Sequence, residues 1–301
     1  MWIIKYRKIF FVISAILTIA SIALVAIFGL KFGVDFTGGS VIGVSYAEGR
    51  PAQADVEKAI SEFKMGSSVV VKASGENGYL IRTPTIDNAK KDEIKNALSF
   101  GGTKVVTENQ FNTVGPTLGN ELKTKAVVAF IVLLIVINIF IAFAFRQVSK
   151  PISSWKYGFI AIIALAHDIL VTTGFFALFG LLYGTEVDTL FVTAILVVLG
   201  YSVNDTIIIM DRIRENLANA SDGDKDNKFE EIVGTSLSET MTRSINTTFA
   251  TLLSLIALFF VGAEATRVFA LALIVGIVSG AYSSIFIAAP MLVLFKNWEK
   301  K

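Results

Sequence analysis

Six apolar runs set the terms on which this chain can fold. They lie at residues 9–30, 126–145, 157–182, 189–210, 247–261 and 268–295. At about 1.5 Å of rise per residue, roughly 20 apolar residues in a helix cross the ~30 Å hydrocarbon core of a bilayer. Inside that core only a helix or a closed barrel satisfies its own backbone groups, and long runs without polar alternation predict helices. The expectation is an α-helical membrane protein with six transmembrane helices. Composition agrees: 53% of the 301 residues are hydrophobic and 17% are charged, and the mean hydropathy of +0.65 lies outside the range of soluble domains.

Composition also excludes several kinds of chemistry. Without cysteine there is no disulfide, no thiolate nucleophile and no Cys-ligated metal, and a single histidine removes most other metal sites and catalytic triads. No P-loop glycine pattern appears, so no bound nucleotide is expected as an energy source. A net charge of +2 without a basic, aromatic-interleaved patch points away from nucleic acid. The reading is therefore not an enzyme, with no bound cofactor.

The first run follows Lys5, Arg7 and Lys8. It is longer than a signal-peptide core and passes straight into a Gly-rich turn, so it is read as a retained helix. Residues 31–125 then change to the composition of a soluble domain. Alternation and punctuation predict strands at 40–46, 68–73, 79–83 and 103–111, with helices at 52–64 after Pro51 and at 86–99 with Asp87 near its start. That βαββαβ order predicts a ferredoxin-like unit with its helices on one face of a four-stranded antiparallel sheet. The chain thus divides into residues 1–30, the domain at 31–125, helices 2–6 over 126–295, and a tail at 296–301.

Basic residues set the expected orientation. Arg146, Lys150 and Lys156 lie between the second and third runs, Arg212, Arg214, Lys225 and Lys228 between the fourth and fifth, and Lys296, Lys300 and Lys301 after the last. The loop at 182–188 has none. The positive-inside rule then places both termini in the cytoplasm and residues 31–125 outside.

Ionisable residues inside such runs are functional candidates by default. The stretch GYSVNDTIIIMDRIREN at 200–216 places Asn204 and Asp205 in the fourth run and closes it with Asp211, Arg212, Arg214 and Glu215. His167 and Asp168 lie about ten residues, or 15 Å, into the third. Arg243 is read as opening the fifth, with a small and polar stripe after it at Thr247, Ala250, Thr251 and Ser254 that must face protein or water. Counting depth from the shared end of the fourth and fifth helices brings Arg243 within reach of Asp205. A change in their spacing would swing Asp205 between ionised and protonated forms, and arginine does not give up its own proton. His167 titrates in principle, but Asp168 beside it holds it charged or serves to neutralise it. Static readings stand beside these: interhelical glue for the buried polar residues, and a solvated helix end for residues 211–215. The Gly276/Gly280 pair reads as close helix packing, and Pro290 as a kink.

Five motifs together resemble the SecF branch of the SecD/SecF family: GVDFTGGS at 33–40, VGPTLGNEL at 114–122, AHD at 166–168, the stretch at 200–216, and RSINTT at 243–248. The resemblance covers essentially the whole chain. It includes Asp35, Gly38 and Gly39 in the first motif and Gly200, Asp211, Arg212, Arg214, Glu215 and Asn216 in the fourth. It implies half of a bundle like that of the resistance-nodulation-division (RND) transporters. A SecD-like subunit would supply the other half, in a bacterial inner membrane, beside a SecYEG-type channel and a YajC-like accessory subunit. It further implies that a proton or sodium gradient drives preprotein translocation and release, with Asp205 and Arg243 at the ion-coupling positions. Asn204, Thr206 and Thr247 as neighbours suit either ion, and His167 and Asp168 complete the candidate set. The competing readings are an ion-coupled small-molecule exporter and a passive scaffold of a membrane complex.

Overall fold

The computed structural model of the protein describes residues 2–65, 69–145 and 152–299. Arg146, Lys150, Lys300, Lys301 and the Ser68 start of the expected second strand lie outside the described residues. Two compact units result: Met1–Lys31 with Val128–Lys301, and Phe32–Val127.

The chain opens with a short helix, α1 (Trp2–Lys5), and the first long apolar helix, α2 (Arg7–Phe28). Exposed Ile9, Val12, Ile16 and Ile19 on α2 form the kind of surface that lipid covers.

In the second unit the Gly-rich segment is more than the turn expected. Val34–Thr37 forms one helical turn, α3, whose Val34 and Phe36 are buried. Then come β1 (Gly39–Tyr46), α4 (Gln53–Ser61), β2 (Val70–Ser74), β3 (Gly78–Thr83), α5 (Asn88–Leu98) and β4 (Val106–Val114). The sheet order is β2-β3-β1-β4 with every pairing antiparallel, as the βαββαβ reading requires. Alternation chooses the faces: Ile42, Val44 and Tyr46 of β1 and Tyr79 and Ile81 of β3 point inward, onto Val56 and Ile60 of α4 and Ile94 and Leu98 of α5. Asp87 caps α5, its carboxylate accepting from the Lys90 amide at 2.8 Å.

Boundaries differ from expectation where the backbone turns. Helix α4 stops at Ser61, with Lys64 at φ 50 beyond it. Strand β4 begins at Val106 because Phe100, Gly101 and Gly102 all take positive φ. Between Gly43 and Val44 the β1–β4 register slips, leaving Asn109 as the extra residue of a bulge. Gly38 and Gly39 have φ of +75 and +129, and a Cβ on Gly39 would sit 2.7 Å from the Thr83 carbonyl oxygen, so neither position tolerates a side chain.

The remaining helices are α6 (Pro116–Ala144), α7 (Ser154–Tyr183), α8 (Thr189–Asn219), α9 (Asp222–Asn227), α10 (Phe229–Val261) and α11 (Glu264–Ser283). A π-turn (Ser284–Ala288) and α12 (Ala289–Glu299) complete the last one. Among the described residues, six helices are long and apolar enough to cross a membrane. Several run beyond their apolar cores. Helix α6 starts at Pro116, where the missing N–H costs nothing, so VGPTLGNEL is a strand end and a helix start. Helix α10 starts at Phe229, so Arg243 lies well inside the helix and does not open it.

The third, fourth and sixth spans are the most buried. Gly276 and Gly280 let α11 approach α8: a Cβ on Gly276 would overlap Val198, and one on Gly280 would lie 2.9 Å from Ser202 Cβ. Pro290 has no backbone N–H to give to the helix ladder. The π-turn just before it is the form its disruption takes here. Gly276→Leu should therefore cost about 1–3 kcal/mol through overpacking, read as a lower melting temperature in detergent. Val278→Leu, at a position that is 50% exposed, should leave it unchanged.

Candidate functional site

Two carboxylates lie within the apolar spans, and their surroundings differ. Asp168 of α7 is fully buried and Asp205 of α8 is 5% exposed. A charge at such depth persists only with partners.

Asp168 has them from three helices. Its Oδ2 accepts from Ser202 Oγ of α8 at 2.6 Å and from Ser283 Oγ of α11 at 2.9 Å. Its Oδ1 accepts from Ser279 Oγ at 3.0 Å and lies 3.1 Å from His167 Nδ1. Ser279 and Ser283 are one helical turn apart, so α11 presents both hydroxyls from one face. His167 stacks on Tyr282 with ring centroids 6.0 Å apart, and its Nε2 has no hydrogen-bond partner.

Asp205 is half satisfied. Oδ1 accepts from Ser244 Oγ of α10 at 2.6 Å, while Oδ2 has no hydrogen-bond partner. Thr248, one turn beyond Ser244 on the buried face of α10, likewise has an unpartnered Oγ1. Near this seam Tyr201 Oη and Thr251 Oγ1 are 3.3 Å apart.

The direct Asp205–Arg243 contact expected from depth is replaced by Ser244: among the described residues no hydrogen bond or ion pair joins the two. Arg243 is exposed and reaches the carboxylate only through its field. The reason is helix phase. Successive residues are about 100° apart around the axis, so when Ser244 faces α8 its predecessor does not. By the same rule Asn204 is exposed beside buried Asp205. Thr247 is exposed too, its hydroxyl donating to the Arg243 carbonyl at 3.0 Å. The stripe of Thr247, Ala250 and Ser254 is exposed on this chain, with Thr251 half-buried. The chain's own contacts fall instead on Ser236, Thr240, Ser244 and Thr248.

Thr206 is buried, and its Oγ1 lies 2.7 Å from Ser284 Oγ. Gly200 is exposed with open space where a Cβ would stand. Asp35 falls in the first turn of α3. Residues 211–216 do more than end a helix. Arg212 Nε donates to Glu239 of α10 at 2.7 Å, and Asn216 Nδ2 donates to Glu239 and to Ser236, each at 2.9 Å, so the two clasp α8 to α10. Arg212 also pairs with Glu215, and Arg214 with Asp211. Sequence reasoning missed Ser202, Ser244, Ser279, Ser283, Ser284 and Glu239. Hydroxyls at helical spacing within apolar runs were the available signal. No cluster of metal-ligating residues occurs among the described residues.

Six spans, a βαββαβ unit and carboxylates built into the helix packing define a multi-pass membrane protein with an ionisable core. Residues 94–298 match the family model for the C-terminal part of the protein export membrane proteins SecD/SecF, and residues 23–48 match the SecD/SecF GG motif. The chain belongs to the SecD/SecF family. It is 38% identical to protein translocase subunit SecF of Thermobaculum terrenum, over 99% of this chain and 94% of that one. It is 36% identical to SecF of Synechocystis, over 98% and 94%. The crystal structure of SecDF from Thermus thermophilus, described as a translocon-associated membrane protein, matches 98% of this chain with a TM-score of 0.83 and 29% identity. This chain spans 38% of that SecDF chain.

Because Asp168 is the shared acceptor for three serines and His167, Asp168→Ala leaves several buried donors unpaired at once and should destabilise the membrane unit by roughly 3 kcal/mol or more. Ser244→Ala should cost about 1–3 kcal/mol. Melting of the two variants in detergent checks the ranking.

Proposed function

We propose that this chain is a SecF-type, non-catalytic translocase subunit that pairs with a SecD-like half and couples an ion gradient, of protons or sodium, to preprotein translocation. The observation that carries the reading is Asp205: a buried carboxylate with one oxygen held by Ser244, the other bare, and a guanidinium near enough to act on it through space. Such a group responds to ion occupancy, because its environment satisfies neither charge state completely. The names of the relatives support the translocase role, and the SecDF likeness supports a SecD-like partner.

The exposed polar residues support the same pairing. Asn204, Arg243, Asn246, Thr247 and Ser254 are exposed on apolar helices, and exposure of such groups to lipid is unfavourable. The face they form suits a second six-helix bundle, which would cover Arg243 and complete the surroundings of Asp205. The distribution of lysine and arginine supports cytoplasmic termini and an outward-facing unit at residues 32–127. A SecYEG-type channel and a YajC-like subunit complete the proposed assembly in the bacterial inner membrane.

Asp205→Asn keeps the size of the side chain and removes its charge. In cells lacking the native copy it should abolish gradient-driven preprotein export while the protein still accumulates in the membrane; normal export would overturn the coupling role of Asp205. Arg243→Ala should lower gradient-driven export by about tenfold or more, the equivalent of ~1.4 kcal/mol of coupling, measured in inverted membrane vesicles with and without the gradient. Wild-type export in that variant would remove Arg243 from the coupling set.

A further inference from the structure

Thr206 directly follows Asp205, and the two side chains point to different neighbours. Asp205 faces Ser244 of α10, while Thr206 reaches the last span, where its hydroxyl meets Ser284 at 2.7 Å. Ser284 is the first residue of the π-turn and also donates to the Ser202 carbonyl at 3.4 Å. We propose that the Thr206–Ser284 hydroxyl pair carries a change at Asp205 into the last span, with Asp168 as the fixed anchor against which that movement occurs. The proposal rests on Asp205 being the ion-responsive group.

Three features assign these roles. First, Asp168 is saturated. Both oxygens are occupied by donors from His167, Ser202, Ser279 and Ser283, so a proton or cation arriving there would have to displace hydrogen bonds from three helices. That makes Asp168 a positioning residue that pins α8 at Ser202 and α11 at Ser279 and Ser283. Asp205, with its bare Oδ2, is the group free to change.

Second, the pinning stops where the helix changes form. Ser283 is the last residue bonded to Asp168, and the π-turn begins at Ser284. A π-turn accommodates an extra residue and is frequently found at functional sites. Pro290 follows it without an N–H to give, so the backbone ladder lacks a hydrogen bond over this segment. The last span is therefore two helical pieces joined by a deformable turn, the first piece fixed to α7 and α8 through Asp168.

Third, the pair sits at that joint. Thr206 and Ser284 are both buried, so a break between them leaves the Thr206 hydroxyl without its partner and without water to replace it. A hydrogen bond is lost within about 1 Å of extension. A small roll or slide of α8 as Asp205 re-pairs within its seam with α10 is thus felt at Ser284. The charged and titratable groups around Asp205 are Arg243, acting through space, and the His167–Asp168 pair, which holds α8 at Ser202 about one turn away.

The test uses the full chain with its partners in inverted membrane vesicles. Thr206→Val and Ser284→Ala each remove one hydroxyl and should each lower gradient-driven export about fivefold or more. The double variant should be no worse than the weaker single, because both cut one link, and Thr206→Ser should restore export. The chain has no cysteine, so Leu294→Cys, at an exposed position on the helical piece beyond the π-turn, gives this chain a single reachable thiol. Its maleimide labelling rate should change when the gradient is applied, and that change should vanish with Asp205→Asn and with Thr206→Val. If Asp205→Asn removes the response but Thr206→Val and Ser284→Ala retain it, the link is overturned and the coupling role of Asp205 stands. Additive losses in the double variant would also overturn the link. A response that survives Asp205→Asn would remove the coupling reading itself.

Discussion

The cost of holding a carboxylate in hydrocarbon organises the membrane unit. One charge, on Asp168, is met in full by four donors from three elements, and meeting it brings α7, α8 and α11 to one point. Three of the four are neutral serine hydroxyls. The carboxylate is stabilised mainly by short hydroxyl hydrogen bonds, which are roughly twice as strong to an ionised acceptor as to a neutral one. The second carboxylate, only three residues from Ser202 along α8, is met by half. Two acids of the same type in one bundle thereby sit in different surroundings, one with both oxygens bonded and one with an oxygen left bare.

Close packing and charge satisfaction depend on each other here. Ser202 reaches Asp168 from a helix whose neighbour, α11, comes near because Gly276 and Gly280 have no side chains to hold it off. Side chains at those positions would push α11 away from α8 and carry Ser279 and Ser283 out of hydrogen-bonding range of Asp168. The short hydroxyls work for the same reason. A serine spans the small gap between helices in contact, where a longer polar side chain would have to be accommodated by moving the backbone. The clasp formed by Arg212, Asn216 and Glu239 then holds α8 against α10 beyond the apolar region, so the seam containing Asp205 is bounded at one end by ionic contacts.

Much of this was legible in the sequence, and the parts that were not share a cause. Alternation in Ile42, Val44 and Tyr46 marked β1 and its inward face, and Asp87 marked the start of α5. The six spans follow from hydropathy alone, and Asp168 and Asp205 stand out as charges in apolar runs. What failed was the angular position of residues next to them. Counting depth from Arg243 assumed a helix beginning there, but apolar content does not show that α10 continues back to Phe229 through polar residues. With the helix continuous, Ser244 and not Arg243 faces Asp205. Asn204 and Thr247 adjoin these residues in sequence or by one turn, and helix phase leaves both exposed on this chain. The serines around Asp168 escaped notice because a hydroxyl in an apolar helix has an inexpensive alternative, bonding back to its own carbonyl ladder. Thr172 does this, donating to the Asp168 carbonyl at 2.8 Å.

The same phase argument explains why the membrane unit looks unfinished on one side. On α10 the hydroxyls at 240, 244 and 248 are buried against this chain, and the polar positions at 243, 246, 247 and 254 are left outward. A helix with polar groups on two faces is poorly suited to the edge of a bundle surrounded by lipid, but it is suited to the middle of a larger one. If α10 is central in the assembled complex, Arg243 is enclosed between two bundles, where its field on Asp205 is less screened than in water. The bare Oδ2 of Asp205 and the bare Oγ1 of Thr248 then belong to a seam next to the interface between the halves. A charge-dependent repacking there would act on the partner and on the last span of this chain together.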